Sequence, residues 1–114
     1  MQVIPRNDFT VSKDGKKFFS KAWDDRFGCG ISLEVARDIK ASDIDCELYV
    51  GATVQEEVGL YGASMITETI KPNVAIVTDV CHETSAPCYN AAKEGEHIAG
   101  QGGVITRAPA VHNI

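Results

Sequence analysis

Val74-Ala75-Ile76-Val77-Thr78-Asp79-Val80 is a near-continuous apolar run, the pattern of a strand covered on both faces. Just before it, Lys71-Pro72-Asn73 ends a helical stretch from Gly62 to Ile70, in which Ala63, Ile66 and Ile70 share one face. Before that helix lies Cys46-Glu47-Leu48-Tyr49-Val50-Gly51-Ala52-Thr53-Val54, β-branched and apolar towards its end, which predicts a strand. Strand 46–54, helix 62–70 and strand 74–80 form one βαβ unit with a right-handed crossover. The class expected is α/β.

Outward from this unit the pattern is helical again from Gly28 to Lys40, where Ile31, Val35 and Ile39 recur every four residues. Residues 1–22 are polar. Asp8 to Ser12 suggests a short strand, Lys13-Asp14-Gly15-Lys16 has hairpin-turn chemistry, and Phe18-Phe19 starts the return. Residues 81–97 are loop-like, with a short helix near Asn90 to Glu94. Gly100-Gln101-Gly102-Gly103 is a turn, after which Val104-Ile105-Thr106 begins another strand. The 114 residues leave room for one domain, and a net charge of −5 without a basic run argues against a nucleic-acid partner. No apolar run approaches the ~18 residues of a membrane span. The first residues lack the charged and apolar regions of a secretory signal. A cytoplasmic protein is expected, with Cys29, Cys46, Cys81 and Cys88 as reduced thiols. Cys81-His82 with Cys88 lacks the second close pair of a tetrahedral metal site.

The acidic residues fall at informative places. Glu56 and Glu57 follow the first predicted strand, Asp79 ends the next, and Asp24 and Asp25 precede a helix. In an open α/β sheet the carboxyl ends of the strands face the ligand crevice. Carboxylates gathered there repel one another, so they hold protons, pair with cations or bind metal. Arg26 is the one basic residue close in sequence, which makes a divalent metal the simplest solution. Taken singly, each doublet also has a plainer reading. Asp24-Asp25 serves as a helix cap with a solvated neighbour, and Glu56-Glu57 as a solvated loop.

The wording around these residues is specific. Lys21-Ala22-Trp23-Asp24-Asp25-Arg26-Phe27-Gly28-Cys29 resembles the metal-binding segment of the glutamyl-aminopeptidase family, whose members include the tetrahedral aminopeptidases. Val54-Gln55-Glu56-Glu57-Val58-Gly59-Leu60-Tyr61-Gly62-Ala63 is similar to that family's second signature, and Ala75 to Val80 to its third. Gly100 to Ile105 resembles a fourth more weakly, so the resemblance spans residues 20–106. It implies a two-metal (zinc or cobalt) aminopeptidase acting on peptides, on a three-layer αβα sandwich with a mostly parallel sheet. Asp24 would bridge the two ions, Glu57 bind one and Asp79 the other. Glu56 would be the general base towards the water the metals activate. Asp25, across a cis bond from Asp24, and Arg26 would support the ligands from behind.

The departures matter equally. Two histidine ligands of the family have no match here, since His82, His97 and His112 stand in other contexts. Tyr61 replaces a usual Arg, and Gly103 a usual Pro. The chain reads as a middle fragment: 1–20 the remnant of a preceding inserted domain or an arm, and 21–114 part of a catalytic domain. Its metal site would be incomplete, and alone it would be poorly active or inactive. A homo-oligomer or a complementing chain is the expected partner. A non-catalytic remnant serving as an assembly or regulatory module is the competing reading, and a receiver-like phosphoacceptor ranks below both.

Overall fold

A computed structural model describes residues 3–4 and 6–107. The chain divides into two units, Met1–Val80 and Cys81–Ile114. The first opens with strands β1, Thr10–Val11, and β2, Phe18–Phe19. They pair antiparallel, Thr10 against Phe19 and Val11 against Phe18. The turn between them follows from its side chains. Asp14 Oδ1 accepts from the Ser12 hydroxyl and the Lys16 N–H, and Gly15 takes a φ of 71° that costs glycine little. The Phe9 and Phe18 rings stack with centroids 5.7 Å apart.

Helix α1 spans Trp23–Asp38, but Asp24 and Asp25 depart from helical angles (ψ 111° and 55°). Asp25 Oδ1 accepts the Gly28 N–H at 2.8 Å, the bond by which an aspartate caps a helix from three residues upstream. Regular helix therefore begins after Asp25. Trp23, Phe27, Ile31 and Val35 follow one another at four-residue spacing, and the first two rings meet edge to face at 6.3 Å. On the outer face, Arg37 pairs with Glu34 and Asp38. A 3-10 turn, Ala41–Asp43, follows. Helix α2 covers Tyr61–Ile70 and closes through the Lys71 N–H on the Thr67 carbonyl, 2.8 Å, with Lys71 at φ 50°.

Three expectations are corrected. Residues 46–54, 74–80 and 104–106 carry no strand. Among the described residues no backbone hydrogen bond joins 46–54 to 74–80, and the β1–β2 pair is the one sheet. Among the described residues neither the parallel sheet nor the three-layer sandwich is formed. The reason is physical: a strand buried on both faces is stabilised by flanking strands and covering helices, and here Ile76 and Val77 are 90 % and 85 % exposed. Among the described residues no hydrophobic side chain is buried. The predicted helices do form, α1 beginning earlier than the expected Gly28.

The second unit holds helix α3, Ala91–Glu94, whose start is capped by Asn90 Oδ1 on the Ala92 N–H. Its main tie links Thr84 and His97. The Thr84 N–H and hydroxyl donate to the His97 carbonyl at 2.9 and 3.1 Å, and the His97 N–H donates back to Thr84 Oγ1 at 2.8 Å. His82 and Tyr89 bring their rings to 5.1 Å.

Candidate functional site

The acidic residues singled out by sequence all lie in the first unit, on three separate segments. Asp24 and Asp25 form the non-helical lead into α1 and are joined by a cis peptide bond. Asp25 is half-buried and carries the cap just described, so the plainer reading of this doublet holds for it. Its neighbour Gly28 is the one buried residue of α1; a side chain there would run into the Asp25 carboxylate. Arg26 is exposed, and among the described residues it makes no ion pair.

Glu56 and Glu57 sit in a tight turn. Gln55 takes φ 60°, and the Glu56 carbonyl accepts from the N–H groups of Gly59 and Leu60 at 3.2 and 3.1 Å. The turn is closed on its far side by Gly62, whose N–H donates to the Val54 carbonyl at 3.1 Å. That approach needs glycine, because a Cβ would lie 2.6 Å from both Val54 N and O. Asp79 is exposed, and its Oδ1 accepts the Val80 N–H at 2.7 Å.

One electrostatic property links these segments. The Glu56 carboxyl is pushed above its ordinary value, first by partial loss of hydration and then by the negative charges of Glu57, Asp79, Asp24 and Asp25. Charges on all three segments therefore act on a single carboxyl group. The structure brings Glu56 into the field of every other acidic residue proposed from the sequence. It does not close them around an ion: among the described residues no three His, Cys, Asp or Glu side chains converge as a metal-binding group. That holds for Cys81, His82 and Cys88 as well.

Compared with known proteins, the chain matches the M42 glutamyl aminopeptidase family over residues 1–113. It belongs to that family. It is 39 % identical over 77 residues to the glutamyl aminopeptidase of Lactococcus lactis subsp. cremoris, covering 68 % of this chain and 22 % of the relative. It is 38 % identical over 64 residues to the lysyl aminopeptidase of Pyrococcus furiosus, covering 56 % of this chain and 18 % of the relative. The chain thus spans about a fifth of the length of these relatives. No solved structure gives a significant match.

For an M42 chain the donor set fits divalent cations in kind. Carboxylate oxygens are hard ligands, and a cation among them would relieve the mutual repulsion that, after loss of hydration, helps to raise Glu56. In spacing, the carboxylates would have to draw inward to enclose one. Two residues of this site escaped sequence reasoning. Gly28 had a local signal, standing three residues after Asp25. Thr78, whose hydroxyl donates to the Gly28 carbonyl at 3.3 Å, had none, because its partner is 50 residues away.

Proposed function

We propose that this chain carries the carboxylate part of an aminopeptidase centre that hydrolyses N-terminal residues from peptides. The supporting observation is the shared negative field at Glu56, to which Glu57, Asp79, Asp24 and Asp25 all contribute. In this reading Asp24 would serve both divalent ions (zinc or cobalt in the complete centre), and Glu57 and Asp79 would hold one each. When bound, the ions polarise the scissile carbonyl and make water acidic. Glu56 accepts the proton, a role helped by a carboxyl whose affinity for protons is already raised. Asp25 fixes the start of α1 through Gly28, keeping its neighbour Asp24 at the helix entrance. Arg26 offsets part of the negative charge.

The chain by itself is proposed to be inactive, and its active form to include a complementing chain or further copies. The lack of any buried hydrophobic side chain among the described residues supports this, since apolar surface left in water favours association. Choice of substrate side chain belongs to other parts of the enzyme, because relatives named glutamyl and lysyl aminopeptidase both share this segment. A cytoplasmic location agrees with four free cysteines.

The test is a Mn2+ titration followed by the electron paramagnetic resonance of the free ion, alongside release of N-terminal residues from short peptides with Zn2+ or Co2+. The wild-type chain is expected to bind Mn2+, the harder ion that an all-carboxylate set prefers. Asp24→Asn, Glu57→Gln and Asp79→Asn each weaken binding, whereas Glu56→Gln leaves it intact. Absence of Mn2+ uptake would overturn the metal reading. Peptide hydrolysis by the isolated chain would overturn the proposed dependence on a partner.

A further inference from the structure

We propose that Thr78 is a positioning residue of the acidic site, its hydroxyl tying the segment that carries Asp79 to the first turns of α1. The inference rests on the reading of the site given above and adds to it what holds the separate segments together. Among the described residues, 74–80 find no strand partner, and Thr78 is the one half-buried residue of that segment. Its Oγ1 donates to the Gly28 carbonyl at 3.3 Å and lies 3.5 Å from Ser32 Oγ, linking positions 50 and 46 residues apart.

The Gly28 residue is the junction. Its N–H is held by the Asp25 carboxylate at 2.8 Å, and its carbonyl receives the Thr78 hydroxyl. A short path of bonds therefore runs from the Asp24–Asp25 turn, through one glycine, to the residue next to Asp79. Such a tie has something to oppose. Asp79, Asp24 and Asp25 carry like charge in a common field, and like charges drive their segments apart. An uncharged hydroxyl on a β-branched residue, whose χ1 has few choices, holds the segment without adding charge to the site. Thr78 touches neither peptide nor ion in this scheme; it acts through the placement of Asp79.

The experiment compares Mn2+ affinity, by the resonance of the free ion, for the full chain as wild type, Thr78→Ser, Thr78→Val and Ser32→Ala, with far-ultraviolet circular dichroism as a check on α1. Thr78→Val, which keeps the shape and loses the hydroxyl, is expected to weaken Mn2+ binding roughly tenfold at unchanged helix signal, the scale typical of residues that orient metal ligands. Thr78→Ser, which keeps the donor, restores the affinity. Wild-type affinity in Thr78→Val, or an equal loss in Thr78→Ser, overturns the proposal. Should Thr78→Val lose helix signal, Ser32→Ala decides, a weakened affinity supporting the tie and an unchanged one overturning it. A wild-type chain that takes up no Mn2+ overturns the metal reading and the role of Thr78 together. Uptake that is indifferent to residue 78 removes Thr78 alone.

Discussion

Helix α1 and the segment 74–80 carry apolar patterns of equal regularity, yet only α1 closes its hydrogen bonds within itself. A helix pairs each N–H with a carbonyl four residues back, so the pattern of one segment is enough to form it once its first turn is capped. An extended run must find its partners on another strand, and residues 74–80 have none among the described residues. Apolar residues in the first region are half-covered by helical neighbours, while Ile76 and Val77 in the second remain almost wholly in water. Regular structure here is local wherever it succeeds, and long-range order rests on a few polar ties such as Thr78 to Gly28.

The strongest challenge to that contrast is Gly28→Ala. The added methyl would meet the Asp25 carboxylate, forcing the cap to let go, and should cost about 1–3 kcal/mol in the thermal melting of the helical signal. A neutral result would mean that α1 does not depend on its first turn. The hairpin gives an intermediate effect that depends on pH. The Ser12 hydroxyl first, and then the Lys16 N–H, hold the Asp14 carboxyl below its ordinary value of 3.8. Asp14 therefore stabilises the folded turn fully above its unfolded value, and that contribution disappears as the pH falls through the lower folded one. Nuclear Overhauser contacts between Phe9 and Phe18 should weaken on acidification in the wild type and respond less in Asp14→Asn. The smallest change is expected for Ile76→Ser. At 90 % exposure this swap should stay within about 0.5 kcal/mol in the same melting experiment. A loss of several times that amount would mean that 74–80 is covered in solution, and the contrast with α1 would fail.

What the sequence made legible follows the same division. The hairpin turn at Asp14-Gly15, the four-residue rhythm of Ile31 and Val35, and the stop at Lys71-Pro72 are all readable because cause and effect lie within a few residues. The acidic positions were readable as candidate chemistry. The charges of Glu57, Asp79, Asp24 and Asp25 all act on the Glu56 carboxyl, yet among the described residues no three such side chains converge as a metal-binding group. The parallel sheet was inferred from runs that are individually good strands, but pairing is a property of two segments, and neither run can supply it alone. Asp25 illustrates a further limit. Its cap on Gly28 meets the plain reading, while the functional reading asks only for a carboxylate beside Asp24, so residue type alone could not choose between them. Thr78 was illegible for a simpler reason, as nothing in Val77-Thr78-Asp79 announces a partner 50 residues away.

The clasp between Thr84 and His97 has a consequence for how this protein tolerates change. Three hydrogen bonds shut a ring of chain at its base, and lengthening such a ring is entropically gentle, about 0.6 kcal/mol for each doubling. Residues 85–96 are thus a cassette into which evolution or an engineer can splice extra sequence while leaving the buckle fastened.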